Sequence, residues 1–251
     1  MSAMNPDGRA AVSLMIATPT YNQQVTASYA TCLVQLTMQA HLNGVRVQNI
    51  HTTSSALLAQ SRNQLTHAFL QSSCTHLLFI DSDMVFRADD VLRLLDEDKE
   101  VIAAICPRKQ IDWQAAATHA RLYPQASADE VQLAGAIYAG YEPLQSGPFD
   151  ANAPLEVVSI GTGIMLIRRE AFERIRRLPS HRTIEAGTDR GIEVFFDTDF
   201  VDGQFISEDI SFCKRLRAAG GRIFGAPWFR IGHIGNHEFT SDLVALAKLS
   251  T

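Results

Sequence analysis

Between Val12 and Ile105 the chain repeats one unit: a short strand-like run followed by a stretch with helical spacing. The runs are Val12 to Ala17, Val45 to Ile50, His76 to Ile80 and Val101 to Ile105. Val12 to Ala17 has the pattern of a strand covered on both faces, and the other three are expected to be strands beside it. Between them, Ser28 to Leu42 ends at Asn43-Gly44, a helix stop, and Thr53, Ser54 or Ser55 can cap a helix carrying Leu57, Leu58, Leu65, Ala68 and Phe69. Asp89 and Asp90 then place acids in the first turn of a third helix, where the dipole favours them, with Val91, Leu92 and Leu95 expected on its inner face. A βαβαβαβ series with short connections predicts a mostly parallel, Rossmann-like sheet flanked by helices, and in such sheets ligands bind beyond the carboxyl ends of the strands.

The second half is less regular. Cys106 to Pro154 reads as loops with one helix. Strands are expected at Leu155 to Ile160, Ile164 to Ile167 and Gly191 to Phe196, with one or two more in Arg222 to Ile231. Helices are expected at Glu170 to Arg176 and Asp209 to Ala219, and Ser241 can cap a last one. No repeat or low-complexity linker interrupts the chain, which predicts a single domain over residues 1–251 with two functional halves.

Composition narrows the classes of function. With 27 acidic and 22 basic residues among 251, the net charge of −5 leaves no basic excess for a generic nucleic-acid binder. The four cysteines, Cys32, Cys74, Cys106 and Cys213, form no CxxC pair, so reduced thiols are expected rather than disulfides or a zinc site. MSAMNPDGRA lacks the charged-then-apolar pattern of a signal peptide, and no apolar run is long enough to span a bilayer. A cytoplasmic protein is expected, with peripheral membrane contact left open.

The third strand runs HLLFIDSDMVF, and Asp81 and Asp83 sit at its carboxyl end. Two close carboxylates are costly to desolvate without a positive partner. Carboxylates at i and i+2 can reach one hard cation, Mg²⁺ or Mn²⁺ rather than a thiolate-bound metal. A helix-entry turn with two solvated acids is the plainer alternative. Glu208 and Asp209, at the start of a helix, read on their own as dipole-favoured acids. His233 lies between glycines after a strand, open to a ligand, and the flanking glycines argue against an HExxH helix at His237-Glu238.

Taken in order, Thr18-Pro19-Thr20-Tyr21-Asn22, Ser61-Arg62-Asn63, FIDSDM, the GTG turn before MLI, SEDISFCKRL and the late HIG resemble a GT-A-fold glycosyltransferase of the family-2-like, nucleotide-sugar-dependent group. The resemblance spans about Val12 to Gly235. It implies a nucleotide- and metal-binding half at about 12–110 and a donor-sugar and acceptor half at about 111–240. It implies Mn²⁺ or Mg²⁺ on a donor diphosphate, UDP- or GDP-linked, with Asp83 as the firmer ligand, Asp81 a metal or ribose contact, and His233 completing the metal site. Pro19, Tyr21, Asn22, Arg62, Ser82 and Gly163 would border the nucleotide-sugar. Asp209 matches the catalytic base, with Glu208 beside it. The acceptor would be a glycan, a lipid-linked group or another hydroxyl.

Two features depart from the family pattern. The base-reading acid common after the second strand is replaced by His51-Thr52-Thr53-Ser54-Ser55, and the QxxRW motif and membrane spans of processive synthases are absent. A single-addition, inverting enzyme is the expectation. A haloacid-dehalogenase-like phosphohydrolase with Asp81 as nucleophile is an alternative, since Asp81 to Val85 fits DxDx(T/V), although two βα units precede the motif here. A non-catalytic nucleotide-sugar-binding module is another.

Overall fold

The structure is a computed structural model that describes residues 12–52, 57–138, 140–184 and 191–236. The first half follows the expected alternation: β1 (Ser13–Thr18), α1 (Ala27–Leu42), β2 (Arg46–His51), α2 (Leu58–Gln71), β3 (His76–Ile80), a short β4 (Met84–Phe86), α3 (Ala88–Asp96) and β5 (Val101–Ala104). The second half is β6 (Pro107–Ile111), α4 (Trp113–Leu122), α5 (Ala128–Ala134), β7 (Ala136–Tyr138), β8 (Glu142–Pro143), β9 (Leu155–Ser159), β10 (Ile164–Arg168), α6 (Arg169–Arg176), β11 (Thr183–Ile184), β12 (Ile192–Glu193), β13 (Asp199–Val201), β14 (Gln204–Ile206), α7 (Glu208–Ala218), β15 (Ile223–Ala226) and β16 (Ile231–His233).

Among the described residues, eight strands form the central sheet in the order β2-β1-β3-β10-β5-β15-β9-β8. β1 runs parallel to β2 and β3, and β15 runs parallel to β5. β10 is antiparallel to both β3 and β5 and separates them. The four early runs therefore do not make one uninterrupted parallel sheet. β10 can take the central place because its IMLI core is as apolar as its neighbours and is buried from Ile164 to Ile167.

Alternation along the buried strands feeds two cores. Met15, Ala17, Leu77, Phe79, Val101, Ala103, Met165 and Ile167 pack with α2, α6 and α7. Leu14, Ile16, Leu78, Ile80, Ile102, Ala104, Ile164 and Leu166 pack with α1 and α3. Each fully buried Leu, Ile or Phe contributes roughly 1.5–3 kcal/mol relative to exposure.

Several expectations need correction. The 106–154 segment holds two helices, started by the Asp112 side chain on the Ala115 N–H and by a capping box in which Ser127 and Glu130 bond reciprocally. That box is an S-x-x-E signature legible in the sequence. α3 buries Ala88, Val91 and Leu94, not Leu92. Leu57 is the N-cap position of α2 and makes no side-chain cap bond; the proposed caps Thr53, Ser54 and Ser55 lie outside the described residues, as does Ser241. The strand expected at 191–196 is only β12, and the Asp202-Gly203 hairpin joining β13 to β14, with both φ angles positive at 51° and 76°, was unforeseen. All four cysteines are free, and burial pushes the Cys106 and Cys213 thiols up to about 12.

His76 gives the fold a pH signature. It is buried at the start of β3 opposite Arg168, and its Nδ1 lies 2.8 Å from the Thr75 hydroxyl. Burial, aided by the Arg168 charge, pushes its pKa down from 6.5 to about 4. The unfolded chain thus binds this proton first, so stability is intact above pH 6.5 and falls between pH 6.5 and 4 by up to about 3 kcal/mol. Urea unfolding of the parent and of His76→Gln across that range should show a stability difference that changes with pH. A constant difference would refute the assignment.

Candidate active site at the carboxyl edge of the sheet

Asp81 is the first residue beyond β3, and its N–H donates to the Gly163 carbonyl at 2.9 Å. The turn before β10 thereby fixes the backbone of the acidic loop. Gly163 is needed for space: a methyl group there would stand 2.6 Å from Met84 Cε and 2.8 Å from Cys106 Sγ. On the other side, the Ser82 carbonyl accepts the Thr26 N–H at 3.0 Å, and Thr26 also caps α1. The late strand β16 pairs antiparallel with β4, setting His233 opposite Met84, and the Ile234 N–H donates to the Asp83 carbonyl at 2.9 Å.

These supports make a cleft of about 290 Å³ lined by Pro19, Tyr21, Asp81, Ser82, Asp83 and His233, together with Thr20, Leu58, Ser61 and Lys109. The loop after β1 is pinned by Thr20, whose N–H donates to the Thr52 hydroxyl at 3.1 Å and whose own hydroxyl donates to the Thr52 carbonyl. Tyr21 stands exposed on the rim, whereas Asn22 turns to Gln24 at 3.1 Å and is not part of the lining.

Asp83 is held from two sides. His233 Nε2 lies 3.4 Å from its Oδ1, and the Lys109 ammonium donates to Oδ2. Burial alone would push this carboxyl up, but the bonds from His233 and Lys109 and their charges hold it below the usual range. His233 is shifted in the opposite sense: its bond to Asp83 raises it against burial, and its Nδ1, 2.8 Å from the Pro107 carbonyl, donates there. Lys109 was not foreseen. The basic Pro107-Arg108-Lys109 stretch just after β5 was its only trace in the sequence.

Asp81 faces a different cation. Arg62, 2% exposed, donates from Nη2 to Asp81 Oδ1 at 3.2 Å and from Nε to Glu208 Oε1 at 3.3 Å. Its guanidinium carbon lies 5.3 Å from the Phe79 ring centre. Burial raises the Asp81 carboxyl; Arg62 pulls it back and the Asp83 charge pushes it up further, leaving it raised. Arg62, expected beside the nucleotide, forms a buried bridge between the strand-end acid and the acid at the start of α7 and is not among the cleft-lining residues. Chain folding alone brings these residues together, across 146 positions between Arg62 and Glu208.

Asp209 follows Glu208 in the first turn of α7 and is not among the residues lining the cleft. Its Oδ1 accepts the Ser207 hydroxyl and the Ile210 N–H, the latter at 2.8 Å. Its Oδ2 faces the glycine turn, where a methyl group on Gly161 would lie 3.4 Å away. Glu208 is thus committed to Arg62, while Asp209 keeps one oxygen clear of the arginine.

The donors suit a hard divalent cation in part. Asp83 and His233 converge, and a histidine whose second nitrogen donates to a carbonyl is oriented as metal-bound imidazoles are. Among the described residues no group of three His, Cys, Asp or Glu side chains forms a ready-made cage. Among the described residues no helix is long and apolar enough to cross a membrane.

No family model matches the chain, and no curated protein matches it. Among solved structures it is similar to a mutant Drosophila β-1,4-galactosyltransferase 7 in complex with manganese, UDP-Gal and xylobiose. That likeness has a TM-score of 0.45 and 14% identity, and covers 90% of this chain and 71% of the other. It is also similar to a glycosyltransferase that acts in glycosylation of the major capsid of PBCV-1, with a TM-score of 0.34, 10% identity, and coverage of 67% and 68%. Residues 1–349 of S. aureus TarS with UDP-GlcNAc give a TM-score of 0.39 and 12% identity, with 85% of this chain spanning 56% of that one. At these values the likeness is one of general layout, and the chemistry of the cleft rests on its own side chains.

Proposed function

We propose that the chain is a metal-dependent glycosyltransferase that moves a sugar from a nucleotide-sugar donor to an acceptor hydroxyl, inverting and adding one unit at a time. The observation that carries this reading is the grouping of Asp81, Asp83 and His233 in one strand-end cleft. Asp83 and His233 would hold Mn²⁺ or Mg²⁺, and the ion would neutralise charge on the departing diphosphate. Pro19 and Tyr21, which line the cleft, would border the nucleoside, and Asp81, bonded to Arg62, would serve the metal shell or a ribose hydroxyl.

In the transfer, the acceptor oxygen bonds to the anomeric carbon as the sugar–phosphate bond breaks, and the electron pair leaves with the nucleoside diphosphate. The acceptor's proton needs a positioned base. Asp209 Oδ2 is the oxygen proposed for it. Asp209 stands in the first turn of α7, one residue after Glu208.

Thermal shift with UDP and GDP, each with and without Mn²⁺, tests the binding claim, because a ligand of the native state raises its stability by mass action. A stabilisation that needs both components is expected. Phosphate release from a phosphomonoester without acceptor would instead favour the hydrolase alternative, and nucleotide binding without turnover on any acceptor would favour a binding module. For the base, Asp209→Asn should lower kcat by a factor of about 10² or more while UDP and Mn²⁺ binding stay unchanged. A product with retained anomeric configuration, read by NMR, would remove the role given to Asp209.

A further inference from the structure

Lys109 occupies the oxygen that a cation on Asp83 would need. Its ammonium donates to Asp83 Oδ2, while Oδ1 faces His233 Nε2 at 3.4 Å. Both contacts trace to β6: Lys109 lies on it, and the carbonyl of its first residue, Pro107, holds His233 Nδ1 at 2.8 Å. The stem is also placed, since a methyl group on Gly235 would stand 3.0–3.1 Å from three of its carbons. The head group remains reachable, with the side chain 40% exposed on the cleft.

A divalent ion entering on Asp83 must displace this ammonium or share its carboxylate. Once displaced, the ammonium stays in the same cleft, where a diphosphate brings negative charge within the sweep of a four-carbon stem. We propose that Lys109 is an exchangeable counter-ion: it covers Asp83 in the free protein and moves to the diphosphate when metal and nucleotide bind. The cleft then takes the two together and resists the metal alone. This rests on the metal–diphosphate reading above.

The test uses Lys109→Met and Lys109→Arg in the full chain. Calorimetry with Mn²⁺ alone should show Lys109→Met binding about threefold to tenfold more tightly than the parent, the size of a partly exposed charge-assisted bond. With Mn²⁺ present, UDP or GDP should bind the same variant about tenfold more weakly, and Lys109→Arg should restore most of that loss. Mn²⁺ affinity unchanged or weakened in Lys109→Met, in a parent that does bind nucleotide with Mn²⁺, would overturn the exchange and leave the site reading standing. A parent that binds neither Mn²⁺ nor diphosphate would overturn both.

Discussion

Asp83→Asn should lower Mn²⁺-dependent affinity for a nucleoside diphosphate about 100-fold or more, leaving the fold intact. The magnitude follows from position. Loss of a group that merely orients a metal ligand costs roughly 10–100-fold in affinity, and Asp83 is assigned as a ligand itself. Asparagine has nearly the same shape but no charge, so it offers the cation one weak oxygen in place of a carboxylate. The fold should tolerate the change, because the contact that positions the loop is a backbone one, from the Ile234 N–H to the Asp83 carbonyl, and the side chain is 28% exposed. Calorimetry with UDP or GDP and Mn²⁺ would measure the loss, and circular dichroism would check the fold. Equal binding by variant and parent would remove Asp83 from the metal site.

Arg62→Met should have the largest effect on stability. Arg62 is fully buried and answers two carboxylates, and methionine can fill part of its volume but neither of its bonds. Removing one partner of a buried ion pair costs about 3–5 kcal/mol, because the charge left behind has lost its solvation. Asp81 keeps 27% of its side-chain surface exposed, which favours the lower end of that range. For a chain of this size the loss corresponds to a fall in Tm of roughly 6–20 °C.

The loss should also depend on pH with a definite sign. Asp81 is already raised, chiefly by burial, and Arg62 supplies the largest attraction pulling it down. Without Arg62 the folded-state pKa rises further above the unfolded value, so the folded form takes up a proton more readily. The penalty should therefore be greatest at neutral pH and shrink as the solution is acidified. Adding Glu208→Gln should recover part of the loss, since it removes one of the two stranded charges. A change in Tm of no more than ~2 °C, or a penalty that grows on acidification, would refute this account of the bridge.

The sequence by itself determined the first half of the fold. Apolar runs such as those of β1, β3 and β5 are buried along their whole length, and the helical stretches between them supply the covering layers, whereas the polar β2 has no fully buried residue. That logic placed β3 at His76–Ile80 and put Asp81 and Asp83 at its carboxyl end. The order of the motifs was also enough to single out His233, Glu208 and Asp209. Tertiary structure decided what local pattern cannot encode. β10 enters between β3 and β5 because hydrogen-bond pairing of a fully apolar strand has no signature telling which neighbours it takes. Arg62 looks like an ordinary helix residue until folding carries Glu208 and Asp81 to its two ends, and only then does its burial become affordable. Lys109 likewise reads as one basic residue in an exposed strand, and its meaning comes from β16 and the residues after it, which bring His233 to the same carboxylate and Gly235 against its stem. For Arg62 the deciding term is the desolvation of a charge by residues distant in sequence, which exists only once the chain has folded.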